Sequence, residues 1–207
     1  PLVDYIADPE KREDIKKYRE ECAAKTEEER TADSKEKTGV FIGCNAINPV
    51  NGEAIPIYIA DYVLMGYGTG AIMAVPSGDH RDFAFAKTFN IPIKPIIDPN
   101  MDSYDSSLVS GIEIPEGQLS KDDKAKIKEA VVNGDAAWSG PGLLINSEND
   151  EMKLSKLPKK KAIQEMTEWL EKKGSGNSKV QFRLRDWGIS RQRYWGPPTP
   201  VWYDKDG

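Results

Sequence analysis

The chain has 207 residues, of which 38% are hydrophobic and 30% are charged, and its formal net charge is −5. That length is enough for one domain with a real core, no apolar run approaches a membrane span, and no signal peptide is visible. The acidic balance argues against a dedicated nucleic-acid-binding protein, although it permits local basic patches. Cys22 and Cys44 have no Cys or His partner at metal-ligand spacing, so we expect free thiols in a reducing compartment.

The first third of the chain predicts surface helices followed by a β-hairpin. Residues 8–30 are polar, lack glycine and carry a thin apolar stripe. This pattern indicates one surface helix, or two if the helix breaks near Thr26. Residues 38–47 and 55–64 are predicted strands, and the Asn51-Gly52 pair between them is the strongest short signal for a hairpin.

Residues 67–85 are the most informative stretch of the sequence. Glycines flank Thr69, so the backbone there can bend or let a ligand approach closely. Residues 71–75 are a short apolar run with the length of a buried strand, and a Pro-Ser-Gly turn ends it. Asp79 then fits a helix N-cap with Asp82 in the first turn, and the helix has an apolar face made of Phe83, Phe85, Ala86 and Phe89.

The pattern of this stretch leaves two interpretations open. In the structural one, Asp79 caps a helix, Asp82 favours the positive helix end and the glycines make a turn. In the functional one, the stretch forms a small pocket with a glycine-rich floor and two carboxylates on its rim. A carboxylate held rigidly between a strand and a helix start could bind an ammonium group.

The second half of the chain alternates short strands and helices. Residues 91–97 are a predicted strand that its prolines place at a sheet edge. Ser120 is predicted to cap a helix over residues 121–132; a strand over 142–145 and a helix over about 159–173 follow. We therefore predict an α+β fold, with a small mixed, barrel-like β-sheet core surrounded by helices.

Near the end of the chain, arginines alternate with aromatic residues. This pattern suits a nucleic-acid groove, in which Arg contacts phosphates and Trp or Tyr stacks on bases. A strand with a solvated basic face would give the same composition. The candidate tRNA-binding side chains are Arg183, Arg185, Trp187, Arg191 and Arg193.

Two motifs carry a resemblance to one family. The sequence GTGAIMAVPSGDHRDFAF, residues 68–85, resembles the GTGAxMxVPxHDxRDxxFA segment of the leucyl-tRNA synthetase editing domain (connective polypeptide 1). The RLRDW and SRQRYWG motifs after residue 182 resemble the segment in which that family re-enters its catalytic core. Gly78 stands where the family usually has His. Met152 to Lys156 is similar to the KMSKS loop of class I synthetases, but that loop lies far downstream in the core. We therefore assign these residues to a loop before a helix.

The resemblance implies a role for each residue of the first motif. Asp82 anchors the α-ammonium group of the substrate, and Asp79 supports it or caps the helix. Met73 and Val75 line the side-chain pocket, while Arg81 faces a phosphate or braces the turn. The terminal adenosine of the tRNA is held by Tyr67, Gly68, Thr69 and Gly70. No catalytic triad and no metal-ligand set is evident, so a positioned water is the expected nucleophile.

The implied reaction is post-transfer editing. The family's editing domain hydrolyses the ester of mischarged tRNA(Leu) carrying an isoleucine-like or unbranched error, because one methylene gives a synthetic pocket only about 1–3 kcal/mol of discrimination. The parent protein is an ATP-dependent leucine–tRNA ligase. ATP and Mg belong to its catalytic core, so we expect no cofactor in this chain. The expected partners are the tRNA(Leu) acceptor end and the rest of the synthetase.

The resemblance also implies a domain division. Residues 1–181 correspond to the editing domain without its upstream threonine-rich part, and residues 182–207 to the segment re-entering the nucleotide-binding core. Because the chain opens on Pro1 without Met and closes just after a predicted apolar strand, we expect a fragment. Without the threonine-rich pocket wall that blocks leucine in the family, we expect it to edit poorly or to cleave correct Leu-tRNA(Leu) unselectively. We expect a monomer with no membrane partner that is located in the cytoplasm, with an organelle as the alternative location. The alternatives are a noncatalytic tRNA-docking module, a decayed editing site and a free-standing editing factor, which the cut ends disfavour.

Overall fold

The computed structural model describes residues 2–25, 37–63, 70–115 and 117–180, and all structural statements below concern these residues. Their helices are α1 (Leu2–Ile6), α2 (Arg12–Ala23), α3 (His80–Thr88), α4 (Lys121–Asn133) and α5 (Lys159–Lys172). Their strands are β1 (Gly39–Ile47), β2 (Ala54–Ala60), β3 (Ile97–Pro99), β4 (Val109–Ser110), β5 (Ala137–Trp138) and β6 (Gly142–Leu144). None of these helices is both long enough and apolar enough to cross a lipid bilayer.

The predicted hairpin is confirmed. Strands β1 and β2 pair in antiparallel register, with an irregularity between Phe41 and Asn45. The loop that joins them, residues 48–53, contains the Asn51-Gly52 pair. Helices α1 and α2 cover one side of this hairpin. The buried side chains Ala7, Ile15 and Ile42 form the core between them, so the thin apolar stripe of α2 is sufficient to hold it in place.

An aromatic cluster joins α3 to the hairpin. The rings of Tyr58 and Phe85 lie edge to face with centroids 5.4 Å apart, and Phe89 lies 4.5 Å from Phe85. The opposite side of α3 contacts Gly111, whose φ of +95° favours glycine and where an added Cβ would clash with the Phe83 ring. Helix α3 is therefore fixed on two sides, and its predicted apolar face is confirmed.

A second core packs α4 against strands β3, β4 and β5. Its buried residues are Ile97, Val109, Ile127, Val131, Ala136 and Trp138. The predicted N-cap of α4 is confirmed as a full capping box between Ser120 and Asp123. The helix ends at Asn133, and its C-cap Gly134 adopts a left-handed φ of +82°.

A third core packs α5 against β6. Met152, Leu154 and Ala162 are its buried residues, and half-buried Leu144, Met166 and Trp169 complete it. The helix ends at Lys172, two residues before Gly174 adopts a φ of +68°. The predicted bounds of this helix were therefore correct to within one residue.

The α+β class is confirmed, but the sheet differs from the predicted barrel-like core. The described strands form three separate two-stranded antiparallel sheets, β1–β2, β3–β6 and β4–β5. Two predicted strands were wrong: residues 71–75 and 91–96 are not assigned to a strand in the described part of the chain. Prolines at positions 92 and 95 remove backbone donors in the second segment, and residues 71–75 are exposed rather than buried.

Candidate functional site

The site is built around the turn that starts α3. The carbonyl oxygen of Val75 accepts hydrogen bonds from the backbone N–H groups of Gly78 (2.9 Å) and Asp79 (3.0 Å). The Asp79 carboxylate then accepts from the backbone N–H groups of Arg81 (2.9 Å) and Asp82 (3.1 Å). Asp79 is therefore the predicted N-cap, and its carboxylate satisfies two otherwise unpaired helix donors.

Asp82 lies in the first turn of α3 and is only 8% exposed. One carboxylate oxygen accepts a hydrogen bond from the Tyr62 hydroxyl (2.9 Å). The other accepts from the backbone N–H of Val75 (2.8 Å). A carboxylate has about four acceptor positions, so these two bonds fix its orientation and leave capacity for a further donor.

Tyr62 is the residue that positions this carboxylate from outside α3. Burial, and then the negative charge of Asp82, raise the pKa of the Tyr62 hydroxyl. The ring packs against Phe85 with centroids 5.7 Å apart. Because the hydroxyl keeps its proton well beyond neutral pH, it remains a hydrogen-bond donor to Asp82 under physiological conditions.

The turn is anchored to the second core. The backbone N–H of Trp138, a fully buried residue, donates to the Ser77 carbonyl at 3.0 Å. His80 Nε2 and Ser139 Oγ lie 3.0 Å apart and share a hydrogen bond. Two adjacent residues, at the end of β5 and just after it, thus hold the start of α3, which gives the carboxylate a rigid support.

Residues 71–75 approach the site as an exposed apolar segment. Met73 is 65% exposed, Ile72 42% and Val75 39%. The backbone of Val75 contacts Asp82 directly, so the predicted pocket-lining side chains lie on the segment that reaches the carboxylate. Gly70, at the start of the segment, adopts a φ of +76°, a conformation that favours glycine.

The structure places only part of the predicted site. It brings together Asp79, Asp82 and the Met73–Val75 segment, and it leaves Arg81 exposed on the first turn of α3. The predicted adenosine-binding residues Tyr67, Gly68 and Thr69 lie outside the described residues. So do the predicted tRNA-binding residues Arg183, Arg185, Trp187, Arg191 and Arg193.

Sequence reasoning missed Tyr62 and Ser139. Tyr62 lies 20 positions before Asp82, and Ser139 lies 59 positions after His80. No local pattern indicates pairs at such separations, because they form only when separate elements pack. Within the described part of the chain, no group of three or more His, Cys, Asp and Glu side chains is arranged to hold a metal ion.

Chemically, the arrangement offers a fixed negative charge beside an apolar surface. The buried carboxylate suits a small cation such as a primary ammonium group, because a charge-assisted hydrogen bond is strong where water is largely excluded. The adjacent apolar side chains suit an aliphatic group on the same ligand. An α-amino acid with an aliphatic side chain combines these two features.

Comparison with known proteins gives a consistent result. Residues 1–171 match the family model described as leucyl-tRNA synthetase, editing domain, and residues 148–207 match that of class I tRNA synthetases (I, L, M and V). The chain is 48% identical over 97% of its length to a leucine–tRNA ligase from Synechococcus sp. (strain JA-2-3B'a(2-13)), and 47% identical over 94% to one from Streptomyces griseus.

The match covers a limited part of those relatives. The chain spans 21% of the Synechococcus ligase and 18% of the Streptomyces ligase. A crystal structure of the Agrobacterium radiobacter K84 agnB2 LeuRS in a ternary complex with tRNA and LeuAMS is also similar, with 29% identity and a TM-score of 0.36 over 62% of this chain and 14% of that one. Because the editing-domain model matches most of its residues, the chain belongs to the leucyl-tRNA synthetase editing-domain family.

Proposed function

We propose that this chain hydrolyses the ester bond of mischarged tRNA(Leu), as the editing part of a leucine–tRNA ligase. The observation that carries the proposal is the Asp82 carboxylate. It is almost fully buried, is oriented by Tyr62 and Val75, and lies beside an exposed apolar segment. A structural cap alone would not need this arrangement, because Asp79 already caps α3.

In the proposed mechanism, Asp82 binds the α-ammonium group of the esterified amino acid. The two donors that hold the carboxylate keep it in one orientation, so the bound ammonium group fixes the position of the neighbouring ester carbonyl. The oxygen of a water molecule then attacks that carbonyl carbon, the ester bond to the terminal ribose breaks, and a proton from the water passes to the released ribose oxygen. The products are the free amino acid and a ribose hydroxyl. Positioning and electrostatic stabilisation supply most of the acceleration, and no cofactor takes part.

Met73 and Val75 supply the apolar contact for the amino-acid side chain. Both are exposed on the segment whose backbone reaches Asp82. A ligand that covers them gains about 25 cal/mol for each Å² of apolar surface removed from water. This contact favours aliphatic amino acids, and we propose isoleucine-like and unbranched errors as the substrates.

The remaining parts of the proposal follow from the family. The partners are the acceptor end of tRNA(Leu) and the rest of a leucine–tRNA ligase, within which ATP and Mg serve a separate catalytic core. We propose that the protein acts in the cytoplasm and as a monomer. The terminal adenosine would contact residues 67–70. The tRNA would also contact the basic and aromatic side chains after residue 182: Arg183, Arg185, Trp187, Arg191 and Arg193.

A chimeric enzyme tests the proposal most directly. The matched segment of the Synechococcus ligase is replaced by this chain, and hydrolysis of Ile-tRNA(Leu) is measured. We expect Asp82→Asn to lower the deacylation rate on the order of 10–100-fold, the value of a charge-assisted hydrogen bond, and to leave leucine charging unchanged. Asp123→Asn, in the α4 capping box, is the matched control and should deacylate like the parent chimera.

Two outcomes would contradict the proposal. If Asp82→Asn deacylates as fast as the parent chimera, the carboxylate does not anchor the substrate. If the chimera charges and binds tRNA(Leu) but no variant deacylates Ile-tRNA(Leu), the chain is a docking module or a decayed editing site. The Gly78→His variant then distinguishes these two explanations: restored hydrolysis indicates a decayed editing site, because the family usually has His at that position.

A further inference from the structure

Five lysines cluster where α5 begins. The segment from Met152 to Lys161 contains no acidic residue, in a chain whose net charge is −5. All five side chains are exposed. Within the described part of the chain, the only ion pair that any of them makes is a long contact of 3.8 Å between Lys161 and Glu165. We call this group the lysine patch: Lys153, Lys156, Lys159, Lys160 and Lys161.

The backbone under the lysine patch is rigidly held. The N–H of Lys156 donates to the Leu144 carbonyl at 2.7 Å, and the N–H of Leu144 donates to the Leu157 carbonyl at 2.9 Å. Met152 and Leu154 are buried in the third core, so Lys153 between them points outward. The ammonium groups are therefore presented from a fixed scaffold, although each side chain is individually flexible.

The acidic residues nearest to the patch in sequence do not neutralise it. Glu151 is bound to Lys173 at 2.7 Å and accepts from Trp169 Nε1 at 3.0 Å. Glu148 and Lys153 form a backbone bridge, and within the described part of the chain neither Glu148 nor the exposed Asp150 forms an ion pair with a patch lysine. The patch therefore keeps most of its positive charge.

The position of these charges is unfavourable for the helix itself. Cations near a helix N-terminus repel the positive end of the helix dipole. Other helices begin in more favourable ways: α3 with Asp79 and Asp82, and α4 with the Ser120–Asp123 capping box. Helix α2 also lacks a side-chain cap, but it carries two acidic residues in its first turn. Among these four helices, α5 alone has neither a side-chain cap nor an acidic residue in its first turn. The lysines thus weaken the helix start, and an external polyanion is the partner that would offset this cost.

We propose that the lysine patch binds the phosphodiester backbone of tRNA, as a sequence-independent contact separate from the ester-hydrolysing site around Asp82. The choice of ligand rests on the proposed function, since a tRNA is the polyanion that an editing domain handles. Lysine suits this role because it contacts phosphates as a mobile point charge and reads no base.

The test is a salt-dependent binding measurement on the full 207-residue chain. A labelled tRNA(Leu) transcript is titrated at several salt concentrations with the parent chain and two triple variants. The patch variant is Lys156→Gln, Lys159→Gln and Lys160→Gln. The matched control is Lys121→Gln, Lys124→Gln and Lys126→Gln, which removes the same charge from the first turns of α4. Circular dichroism melting checks that each variant is folded.

We expect the patch variant to lose roughly tenfold in affinity for tRNA. We also expect the negative slope of the log association constant against log salt concentration to become less steep, by about one for each lysine removed. The control variant should bind like the parent chain. Equal losses in both variants would overturn the proposal, because the effect would then be one of net charge. Unchanged tRNA binding by the patch variant would overturn it too. Poly-glutamate is titrated as a second polyanion, and a patch variant that loses binding to poly-glutamate but not to tRNA would indicate an acidic protein partner instead.

These results are independent of the hydrolysis test. If the patch variant loses tRNA affinity while the chimera fails to deacylate, the lysine patch stands and the editing proposal fails. If the chimera deacylates but the patch variant binds normally, only the lysine patch fails.

Discussion

Replacing Asp82 by alanine tests whether this carboxylate is also a structural element. The change leaves the Tyr62 hydroxyl and the Val75 N–H without their shared acceptor. Hydrogen bonds to a charged group are worth about 1.5–3 kcal/mol each, so two of them give about 3–6 kcal/mol. Removing a nearly buried carboxylate also removes its dehydration cost. We therefore expect Asp82→Ala to lower the free energy of unfolding by about 2–4 kcal/mol.

Two further variants separate charge from hydrogen bonding. In Asp82→Asn, the amide oxygen can accept from Val75 and the amide nitrogen can donate to the Tyr62 hydroxyl, which both donates and accepts. Both bonds are kept, and we expect a loss of about 1 kcal/mol or less. Tyr62→Phe keeps the charge and removes one bond, for an expected loss of about 1–2 kcal/mol.

The assay is urea unfolding monitored by circular dichroism. The free energies of unfolding of the three variants are compared with one shared slope of free energy against urea concentration. The expected order of destabilisation is Asp82→Ala, then Tyr62→Phe, then Asp82→Asn. A midpoint for Asp82→Ala equal to that of the parent chain would refute the reasoning. Equal losses for alanine and asparagine would also refute it, since the hydrogen bonds would then contribute nothing. Because alanine disturbs the fold, asparagine is the proper variant for activity measurements.

Four other changes have defined expectations. Asp79→Ala removes the cap of α3 and should cost about 1 kcal/mol in urea unfolding. Gly78→His should change stability by less than about 0.5 kcal/mol, because a Cβ there would lie 3.5 Å from the Val75 side chain; a larger loss would show that glycine is required. Lys159→Glu should increase the free energy of unfolding by about 0.3–1 kcal/mol, because it removes a cation from the positive end of α5; the check is a higher melting temperature. The pKa of the Tyr62 hydroxyl is raised in the folded chain, so the unfolded chain loses this proton first as the pH rises above 10.0. The free energy of unfolding, measured by urea unfolding, should therefore fall as the pH rises above 10.0, and it should fall less steeply in Tyr62→Phe.

Local features of the fold were predictable from the sequence. The Asn51-Gly52 hairpin, the caps at Asp79 and Ser120 and the bounds of α5 are all confirmed. Each of these depends on residues within a few positions of one another, so turn chemistry and capping preferences are sufficient to find them.

Sheet structure was predicted less well, for a physical reason. The apolar run 71–75 has the composition of a buried strand, yet it is exposed and is not part of a strand in the described part of the chain. Composition reports that a segment needs an apolar partner but not which surface provides it. The two-residue strands β4 and β5 are the opposite case: they were missed because they are too short to show alternation, although Trp138 is fully buried.

In the candidate site, too, some features follow from local sequence and others depend on how distant elements pack. The two aspartates are separated by three positions, and their place at a helix start follows from local sequence. What distinguishes them is not local. Among the described residues, the exposed Asp79 carboxylate accepts hydrogen bonds from its own helix, whereas Asp82 is buried and held by Tyr62 from outside α3. Sequence reasoning could assign both carboxylates to one rim, but only the packing of α3 against the hairpin makes them unequal. Asp79 is thus the cap of α3, and the burial of Asp82 is the physical basis for our proposal that this carboxylate binds the substrate.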